Sequence, residues 1–407
     1  MATVLYLSYD GVSDPLGQSQ VLPYLRELSR LGYRIHLVSF EKPRRFRPRQ
    51  AELRASVERD GIDWHPLRYT KHPLVFSTVW DVLRLQWFAA RLHRTYRFDL
   101  VHCRSYVTAL AGLRLKRAAG VRFIFDMRGF WPDEKVEGGT WNLGIPIFRW
   151  VYRYFKKKES QFVAEADAIV SLTNAGRRVI ETWASYGTRR PPIAVIPCAA
   201  EFDVFTVGSR EARTRARAEL GIAPDEFVVA YLGSLGTWYL LGEMLDWFSV
   251  LRDRRERCRL LLVAPDSPAP LFAEAAKRGI KHADLSIVSA TRERVPFYLS
   301  ATDVGLFFIR PTPSKQASSP TKLGEYLAMG IPVVTNAGVG DVDDVVSALG
   351  AGIVIPSFSE AAYVKSIEQL EAITALDPQM LRSRAREVLD LSAGVEAYAG
   401  LYRALLA

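Results

Sequence analysis

The sequence is poor in the features that mark several common classes of protein. Its three cysteines, Cys103, Cys198 and Cys258, are too far apart to form a CxxC pair or a disulfide framework. No apolar run reaches the length of a membrane-spanning helix, and the start MATVLYLSYDG lacks the basic region of a signal peptide. Neither a GxGxxG fingerprint nor a GxxxxGK phosphate loop occurs. These absences argue against a disulfide scaffold, a membrane-spanning protein and a P-loop enzyme, and we expect a cytoplasmic protein.

Positive charge exceeds negative charge in this chain. There are 54 lysines and arginines against 44 acidic residues, a net charge of +10, and 49% of residues are hydrophobic. A positive balance favours acidic partners such as nucleotide phosphates, anionic lipid or nucleic acid. Because neither a zinc-finger spacing nor an RNP-like aromatic signature is present, we expect no nucleic-acid partner.

Short apolar runs alternate with helical patterns along the chain. In the first half, the strand-like runs cover residues 3–9, 34–40, 98–105 and 121–129, and helical spacing covers 19–32, 74–96 and 106–120. In the second half, the strand-like runs cover residues 226–236, 259–265, 285–290, 303–311, 331–338 and 350–356. This alternation predicts parallel sheets with helices on both faces.

A polar, charged stretch with helical spacing over 206–220 separates the two series and predicts a domain boundary nearby. We therefore predict a first domain over residues 1–203, a second over 204–384 and a closing segment with an amphipathic helix over 385–407. Two doubly wound domains that face each other form a cleft, and ligands of such sheets bind beyond the carboxyl ends of the strands. Residues at strand-to-helix junctions are therefore the first candidates for chemistry.

The motif SSPTKLGEYLAMGIPVV places two charges in a short apolar helix. Ser319 suits the N-cap of that helix and Gly330 suits its C′ position. Lys322 and the free amides of the helix N-terminus would then form a phosphate site. Glu325 shares a face with Lys322, and its carboxylate can accept two hydroxyl hydrogen bonds, as from a ribose. The alternative is a plain ion pair on the surface.

Other strand-to-helix junctions also carry candidate residues. Gly233 and Ser234 follow the strand VVAYLG, where a glycine lets the backbone approach an anion. The segment FDMRGFWPDEKVEGGTW puts Asp126, Arg128 and further acidic residues beside two tryptophans, which suits the hydroxyls and the apolar face of a sugar. The loop over residues 8–20 is long for a fold of this kind. The alternative for Gly233 and Ser234 is an ordinary turn between a strand and a helix. The alternative for the segment over 125–141 is a loop held by internal salt bridges, and that for residues 8–20 is a surface loop.

Two further patterns bear on partners. The segment over 146–158, PIFRWVYRYFKKK, alternates aromatic residues with arginines and lysines at helical spacing. This pattern predicts contact with an anionic membrane surface, peripheral on the inner face, and its alternative is a core-facing helix with a solvated basic side. The acidic pattern GDVDDVV over 340–346 is explained by the dipole of the helix that it opens, so we expect no metal site there.

Several segments together resemble glycosyltransferase family four, whose members are retaining enzymes of the GT-B fold. They are SYDGVSDPLGQSQVLPYLRELSRLGYRIHLVS, SLTNAG, VIPCAAEFDVF, YLGSLGTWY, RERVPFYLSATDVGLFF and SPTKLGEYLAMGIPVV. The resemblance covers nearly the whole chain in the right order. It implies two Rossmann-like doubly wound domains facing across a cleft, with a nucleoside-diphosphate-sugar donor on the second and the acceptor on the first. It also implies that a C-terminal helix within residues 385–407 crosses back to the first domain. No metal and no cofactor are expected, because the nucleotide sugar is a substrate.

The motifs and the resemblance together assign roles to individual residues. The residues predicted to be catalytic are Asp126, Arg128 and Lys322. The residues predicted to bind the donor are Gly17, Gln18, Gly233, Ser234, Ala290, Arg292, Ser319, Thr321, Lys322 and Glu325. The residues predicted to bind the acceptor are Asp10, Trp131, Asp133 and Glu134.

Some positions depart from the pattern of the family. Glu325 matches the second glutamate of the paired motif, which is expected on the ribose, but the first glutamate falls at Ala317. The arginine and lysine of the phosphate clamp fall at Ser234 and near Leu240. These departures leave Lys322 and backbone amides as the candidate phosphate ligands.

The predicted function is that of a retaining hexosyltransferase. It would move a sugar from a nucleoside-diphosphate-sugar donor to a glycan, a lipid-linked acceptor or a small molecule, without a metal. One alternative is a nucleotide-sugar epimerase of the same fold. A second alternative, suggested by the missing clamp residues, is a catalytically impaired protein that only binds sugar nucleotides.

Overall fold

The computed structural model describes residues 2–73, 75–187, 189–265 and 267–407. The chain divides into two compact units, each built on its own parallel sheet. Unit 1 comprises residues 1–197, 316–318 and 391–407, and unit 2 comprises residues 198–315 and 319–390. The first division therefore falls between residues 197 and 198, somewhat before the predicted position between 203 and 204.

Unit 1 contains a seven-stranded parallel sheet. Its strands are β1 (Thr3–Ser8), β2 (Arg34–Glu41), β3 (Ile62–Arg68), β4 (Leu100–Arg104), β5 (Arg122–Asp126), β6 (Ala168–Ser171) and β7 (Ile193–Val195). They lie side by side in the order β3-β2-β1-β4-β5-β6-β7. The order of the strands reverses between β1 and β4, so the carboxyl ends of these two central strands form the switch point of a doubly wound sheet.

The helices of unit 1 cover both faces of this sheet. They are α1 (Pro15–Gln20), α2 (Leu22–Arg30), α3 (Pro43–Phe46), α4 (Gln50–Arg59), α5 (Phe76–Tyr96), α6 (Ser105–Ala119), α7 (Trp131–Glu137), α8 (Pro146–Glu165), α9 (Asn174–Glu181), α10 (Ala184–Gly187) and, at the end of the chain, α20 (Leu391–Leu406). A buried cluster joins Leu85 of α5, Tyr106 of α6 and Phe162 of α8, so these three helices share one face. Helix α20 packs against α2, where the Tyr24 and Tyr398 rings meet edge to face at 5.4 Å.

Unit 2 contains a six-stranded parallel sheet in the order β10-β9-β8-β11-β12-β13. Its strands are β8 (Phe227–Leu232), β9 (Cys258–Val263), β10 (Leu285–Val288), β11 (Val304–Phe307), β12 (Val333–Asn336) and β13 (Gly352–Ile355). Its helices are α11 (Arg210–Glu219), α12 (Leu241–Arg252), α13 (Ala269–Ala276), α14 (Val295–Leu299), α15 (Thr321–Ala328), α16 (Val342–Leu349), α17 (Glu360–Glu368), α18 (Leu370–Thr374) and α19 (Pro378–Leu389). The four central strands, β9, β8, β11 and β12, are almost entirely buried, which explains their continuous apolar runs, whereas the edge strands β10 and β13 are only partly buried.

The predicted α/β architecture is confirmed, and some element predictions are wrong. The single helix predicted over 19–32 is two helices, because Pro23 lacks the amide that a continuous helix needs there. Strands β3 and β6 were not predicted. The helix predicted over 74–96 begins at Phe76, and its first predicted residue, Leu74, lies outside the described residues.

Candidate functional site

The site in unit 2 lies at the switch point of its sheet. Strands β8 and β11 are neighbours, and the chain proceeds from β8 outward to one side and from β11 outward to the other. Gly233 directly follows β8, and helix α15 begins after β11 and the residues that follow it. Ligands of open parallel sheets bind at this point, beyond the carboxyl ends of the strands. The geometry therefore brings the two predicted phosphate-binding segments to one place.

Lys322, the second residue of α15, is the central side chain of this site. It is 4% exposed, and its Nζ has no hydrogen-bond acceptor among the described residues. The ammonium lies 3.4 Å from the ring centroid of Tyr239 and 4.1 Å from that of Tyr231. Burial lowers the pKa of Lys322 well below its ordinary value, although Glu325 opposes this shift. The alternative of a surface ion pair with Glu325 is excluded because Lys322 is buried.

The loop after β8 leaves room for the ammonium. Gly233 has a φ of +108°, and a β-carbon built there would lie 3.4 Å from the Lys322 Nζ. The Tyr231 hydroxyl donates to the Ser234 carbonyl at 2.6 Å, and Leu240 donates its amide to the Phe308 carbonyl at 3.0 Å. These bonds fix the loop around the cation, while the Ser234 side chain itself is exposed.

Glu325 belongs to a partly buried charge network on the same side of α15. Arg292, in the loop after β10, donates to Glu325 at 3.0 Å and to Glu201 at 3.0 Å. Burial raises the pKa of Glu325 despite the opposing charges of Arg292 and Lys322. The Glu325 side chain retains 12% exposure, so part of the carboxylate remains accessible. Arg292 and Glu325 are thus brought together, as their predicted roles at one nucleotide require.

The start of α15 differs from the prediction. Its N-cap is Pro320 rather than Ser319, and Thr321 is the first helical residue. The Ser319 hydroxyl instead accepts a hydrogen bond from the Cys198 amide at 3.1 Å, so it is not available to cap the helix. Gly330 takes the predicted left-handed conformation just beyond the helix, with a φ of +69°.

The predicted catalytic residues of unit 1 lie at the carboxyl end of β5. Asp126 is fully buried, and its Oδ2 accepts from the Tyr398 hydroxyl at 3.0 Å and lies 3.3 Å from the His102 Nε2. The Arg128 Nη1 lies 3.9 Å from the other carboxylate oxygen. Burial raises the pKa of Asp126, but Arg128 and His102 together outweigh it, and the pKa lies below its ordinary value. Asp126 is fully buried within this network, and its predicted catalytic role stays a prediction.

A second arginine, Arg104, lies at the same edge of the sheet. It ends β4, is 5% exposed, and its Nη1 has no hydrogen-bond partner among the described residues. Its Nε donates to the half-exposed Asp10 carboxylate at 3.4 Å. The carboxyl edge of unit 1 is therefore cationic beneath Asp10, which was predicted to bind the acceptor.

The other predicted acceptor residues lie on α7 and make internal contacts. Asp133 accepts from the Tyr152 hydroxyl at 2.8 Å and from Lys156 at 2.9 Å. Trp131 packs edge to face against Phe155 with ring centroids 4.9 Å apart. The Glu134 Oε1 accepts from the Ser318 hydroxyl at 3.2 Å. Glu134 thus places a carboxylate next to the position where the family has its first glutamate.

The loop between β1 and α1 is tightly packed. A β-carbon at Gly17 would lie 2.0 Å from the Gly11 carbonyl oxygen, so this packing alone explains the glycine. Gln18 donates to the Val12 carbonyl at 2.6 Å. Glu41 accepts from the Val12 amide at 2.7 Å and from the Ser13 hydroxyl at 2.6 Å. The proposed contact of Gly17 and Gln18 with donor phosphates stays a prediction.

Several site residues were missed by sequence reasoning. Arg104 carried a signal, since a charge at the end of a buried strand marks the carboxyl edge of a sheet. Glu201 and Tyr239 lie within segments that resemble the family, VIPCAAEFDVF and YLGSLGTWY, but neither was singled out, because the sequence does not show which side chains the fold brings to Arg292 and Lys322. Ala290, which was predicted to border the nucleotide base, is half-buried in the loop after β10.

Two doubly wound parallel-sheet units, with the buried Lys322 at the switch point of the second, define a protein of the GT-B fold. A family model described as "Glycosyl transferase 4-like domain" matches residues 17–199, and one described as "Glycosyl transferases group 1" matches residues 212–388. Together they span most of the chain, which belongs to glycosyltransferase family four.

Curated relatives include several proteins named D-inositol 3-phosphate glycosyltransferase. The protein from Segniliparus rotundus is 27% identical over 304 residues, which cover 72% of this chain and 62% of the relative. The protein from Nocardia farcinica is 29% identical over 221 residues, which cover 52% of this chain and 46% of the relative. The chain therefore spans less than two thirds of the length of these relatives.

Solved structures share the fold over nearly their full length. Sucrose-phosphate synthase from Thermosynechococcus elongatus has a TM-score of 0.75 at 16% identity, covering 100% of this chain and 99% of that one. Anabaena HepE, solved in complex with UDP and glucose, has a TM-score of 0.73 at 14% identity, covering 99% of this chain and 100% of that one. At these identities the likeness shows the fold alone.

Proposed function

We propose that the protein is a retaining glycosyltransferase that uses a nucleoside-diphosphate-sugar donor bound in unit 2. The observation that carries this proposal is the Lys322 ammonium, which is buried at the switch point without an acceptor. A buried charge without a partner is costly, and a diphosphate would supply the missing anion. Structural neighbours solved with UDP and with UDP-glucose support a donor of this class.

The proposed chemistry depends on stabilising the leaving group. As the bond between sugar and diphosphate breaks, negative charge grows on the diphosphate, and Lys322 with the backbone around Gly233 would stabilise it. Lys322 is buried, and the attraction between opposite charges is stronger away from bulk water. The proposal includes no metal and no cofactor, because Lys322 supplies the cation. Glu325, held by Arg292, would accept the ribose hydroxyls.

The acceptor is proposed to bind at the carboxyl edge of unit 1. Asp10 and Glu134 offer carboxylates for sugar hydroxyls, and Arg128 and Arg104 make the edge cationic. Asp126 would keep Arg128 in its left-handed conformation, with a φ of +55°. A glycan, a lipid-linked sugar and a small molecule are all compatible with these groups.

The test of the donor site is a change of Glu325→Gln, which keeps the shape and removes the charge. We expect donor affinity to fall about tenfold, because a charge-assisted hydrogen bond to a hydroxyl contributes roughly 1.5–3 kcal/mol. The measurement is release of nucleoside diphosphate from a panel of nucleotide sugars, with calorimetric binding of the diphosphate alongside. Glu371→Gln, on the exposed side of α18, is the matched control.

The same panel separates the competing functions. Diphosphate release that depends on an acceptor extract supports the transferase. Saturable binding without turnover would point to a binding protein, and conversion of the sugar without an acceptor would point to an epimerase; either result contradicts the proposal. Equal affinity in Glu325→Gln and the parent would remove Glu325 from the site.

We also propose that α8 contacts an anionic membrane surface. Val151 and Phe155 of this helix are buried, whereas Arg149, Arg153 and Lys157 are exposed. Lys156 of the same helix is half-buried and pairs with Asp133 and Glu159. Trp150 is 59% exposed beside the arginines, as suits a residue at a lipid interface.

Charge reversal at Arg153→Glu and Lys157→Glu tests this contact. Each basic residue near an anionic bilayer contributes about 1 kcal/mol, so the double variant should bind vesicles at least tenfold more weakly at low salt. The measurement is co-sedimentation with phosphatidylglycerol vesicles across a salt series. The double reversal Arg403→Glu and Lys365→Glu, at exposed positions of α20 and α17, is the control for net charge. Unchanged binding by the double variant would end the proposal for α8.

A further inference from the structure

Helix α5 carries an exposed apolar stripe that the proposed function does not use. Phe76, Val79, Trp80, Leu83 and Trp87 are each between 48% and 68% exposed. Their spacing of three and four residues places them on one face of the helix, over a length of about 16 Å. The opposite face is buried against the sheet and α6 through residues such as Leu85, Ala89 and Leu92. The stripe is therefore not part of the core of unit 1.

The charges around the stripe are almost all positive. Between residues 69 and 98 the cationic side chains are Lys71, Arg84, Arg91, Arg94 and Arg97, and the sole carboxylate is Asp81. Asp81 is fully buried, where it accepts from the Thr70 amide and hydroxyl and from the Tyr9 hydroxyl. The Arg91 guanidinium lies 5.5 Å from the Trp87 ring centroid. The exposed surface thus combines aromatic residues with cations and presents no carboxylate from this segment.

The topology places the stripe near the functional edge of unit 1. In a parallel sheet, a crossover helix runs back against the direction of the strands, so its N-terminal half lies near their carboxyl ends. Helix α5 follows the carboxyl end of β3, and the stripe occupies its first three turns. Asp10, Arg104 and Arg128 lie at this same edge, and the N-terminal half of α8 does too.

We propose that the exposed stripe of α5 docks unit 1 onto an anionic bilayer. Two tryptophans with flanking arginines suit the interface between head groups and acyl chains, where indole rings partition and cations meet lipid phosphates. The stripe would lie in the interface rather than cross it, since no helix among the described residues is both long and apolar enough to span a membrane. Docking would also bring the carboxyl edge of the unit 1 sheet, where the acceptor is proposed to bind, close to substrates carried by lipid. This last step rests on the proposed function.

The charge pattern favours a bilayer over a second copy of this chain. A symmetric dimer through α5 would bring the same cationic residues of two copies together, with no exposed carboxylate from the segment to offset them. An anionic surface instead complements both features of the stripe. Self-association is therefore the competing outcome that the experiment has to separate.

The experiment compares the parent protein with Trp80→Ser/Trp87→Ser. We expect the double variant to bind vesicles of phosphatidylglycerol and phosphatidylcholine about tenfold or more weakly, because two large apolar side chains no longer insert. Flotation gives the affinity, and quenching by brominated lipid reports insertion in the parent that is lost in the variant. Leu31→Ser, an exposed leucine at the end of α2, is the matched control and should leave binding unchanged.

The outcomes separate docking from catalysis and from dimerisation. Donor hydrolysis without vesicles should be equal in the parent, the double variant and Leu31→Ser. If none of the three hydrolysed a donor, the proposed function would be contradicted, but vesicle binding would still decide whether the stripe docks onto a bilayer. Vesicle binding that the tryptophan change leaves intact would overturn the proposal. The stripe would instead be assigned to contact with a second copy if the parent sedimented as a dimer and did not bind vesicles, and the double variant sedimented as a monomer.

Discussion

Replacing Lys322 with methionine is expected to weaken nucleoside-diphosphate binding about 100-fold and to make unit 2 more stable. The loss of affinity follows because removing one partner of a buried charge pair between a protein and its ligand costs about 2–5 kcal/mol. The gain in stability follows because the Lys322 ammonium destabilises the folded state: it is 4% exposed and has no hydrogen-bond acceptor among the described residues. Methionine keeps the apolar contact with Tyr231 and Tyr239, and removing such a charge is worth roughly 1–4 kcal/mol.

The two opposite effects make this variant informative. Calorimetry with UDP and with other nucleoside diphosphates gives the affinity, and urea unfolding gives the stability. Lys365→Met, on the exposed side of α17, is the control and should change neither quantity appreciably. A Lys322→Met protein that binds diphosphates like the parent would remove the cation from the site, whatever its stability.

The same lysine predicts a pH dependence whose sign can be worked out. Its pKa is lowered in the folded protein, so between that pKa and the ordinary value of 10.5 the unfolded chain binds more protons. Stability of the free protein should therefore rise with pH across this window, and Lys322→Met should flatten the rise. Above the lowered pKa, diphosphate binding should take up a proton, which calorimetry in buffers of different ionisation enthalpy measures.

The fold could be predicted because its strands are apolar runs bounded by helical patterns. Where a strand broke that rule, prediction failed. Strand β3 contains Pro66 and His65, but it is the edge strand of its sheet, where a missing amide is tolerated. Strand β6 has only four residues and lies between two helices, so it is too short to show a hydrophobic pattern that would distinguish it from them.

The site could be predicted only where motif and topology coincide. Gly233 directly follows β8, Lys322 lies in the first turn of the helix that comes after β11, and the parallel sheet brings these two segments together. The ion pair of Glu325 with Arg292, which also binds Glu201, could not be predicted, because it forms only through the tertiary fold. The stripe of α5 was also hidden, because apolar residues lie all around this helix and periodicity cannot say which of them remain exposed.

Replacing Asp126 with alanine is expected to destabilise unit 1 by about 3–5 kcal/mol. The change removes a buried carboxylate that lies 3.9 Å from the guanidinium of Arg128, which is 7% exposed, whereas Arg104 keeps its ion pair with Asp10. It also removes the acceptor of the Tyr398 hydroxyl, so α20 should lose hydrogen-exchange protection together with β5. Hydrogen exchange by mass spectrometry on peptides from both elements is the measurement, since two units need not unfold as one.

Two controls and a pH series make this second prediction specific to the buried network. Tyr398→Phe removes one hydrogen bond and should cost only about 1 kcal/mol, while Glu165→Ala disrupts an exposed ion pair and should cost less. The pKa of Asp126 is lowered, so its contribution is complete above the ordinary carboxyl range and is lost as pH falls through the lowered pKa. Burial lowers the pKa of His102 as well, so stability should begin to fall once the pH drops below 6.5. Unchanged protection of α20 in Asp126→Ala would mean that the carboxylate does not hold this helix, and its role would then lie with Arg128 alone.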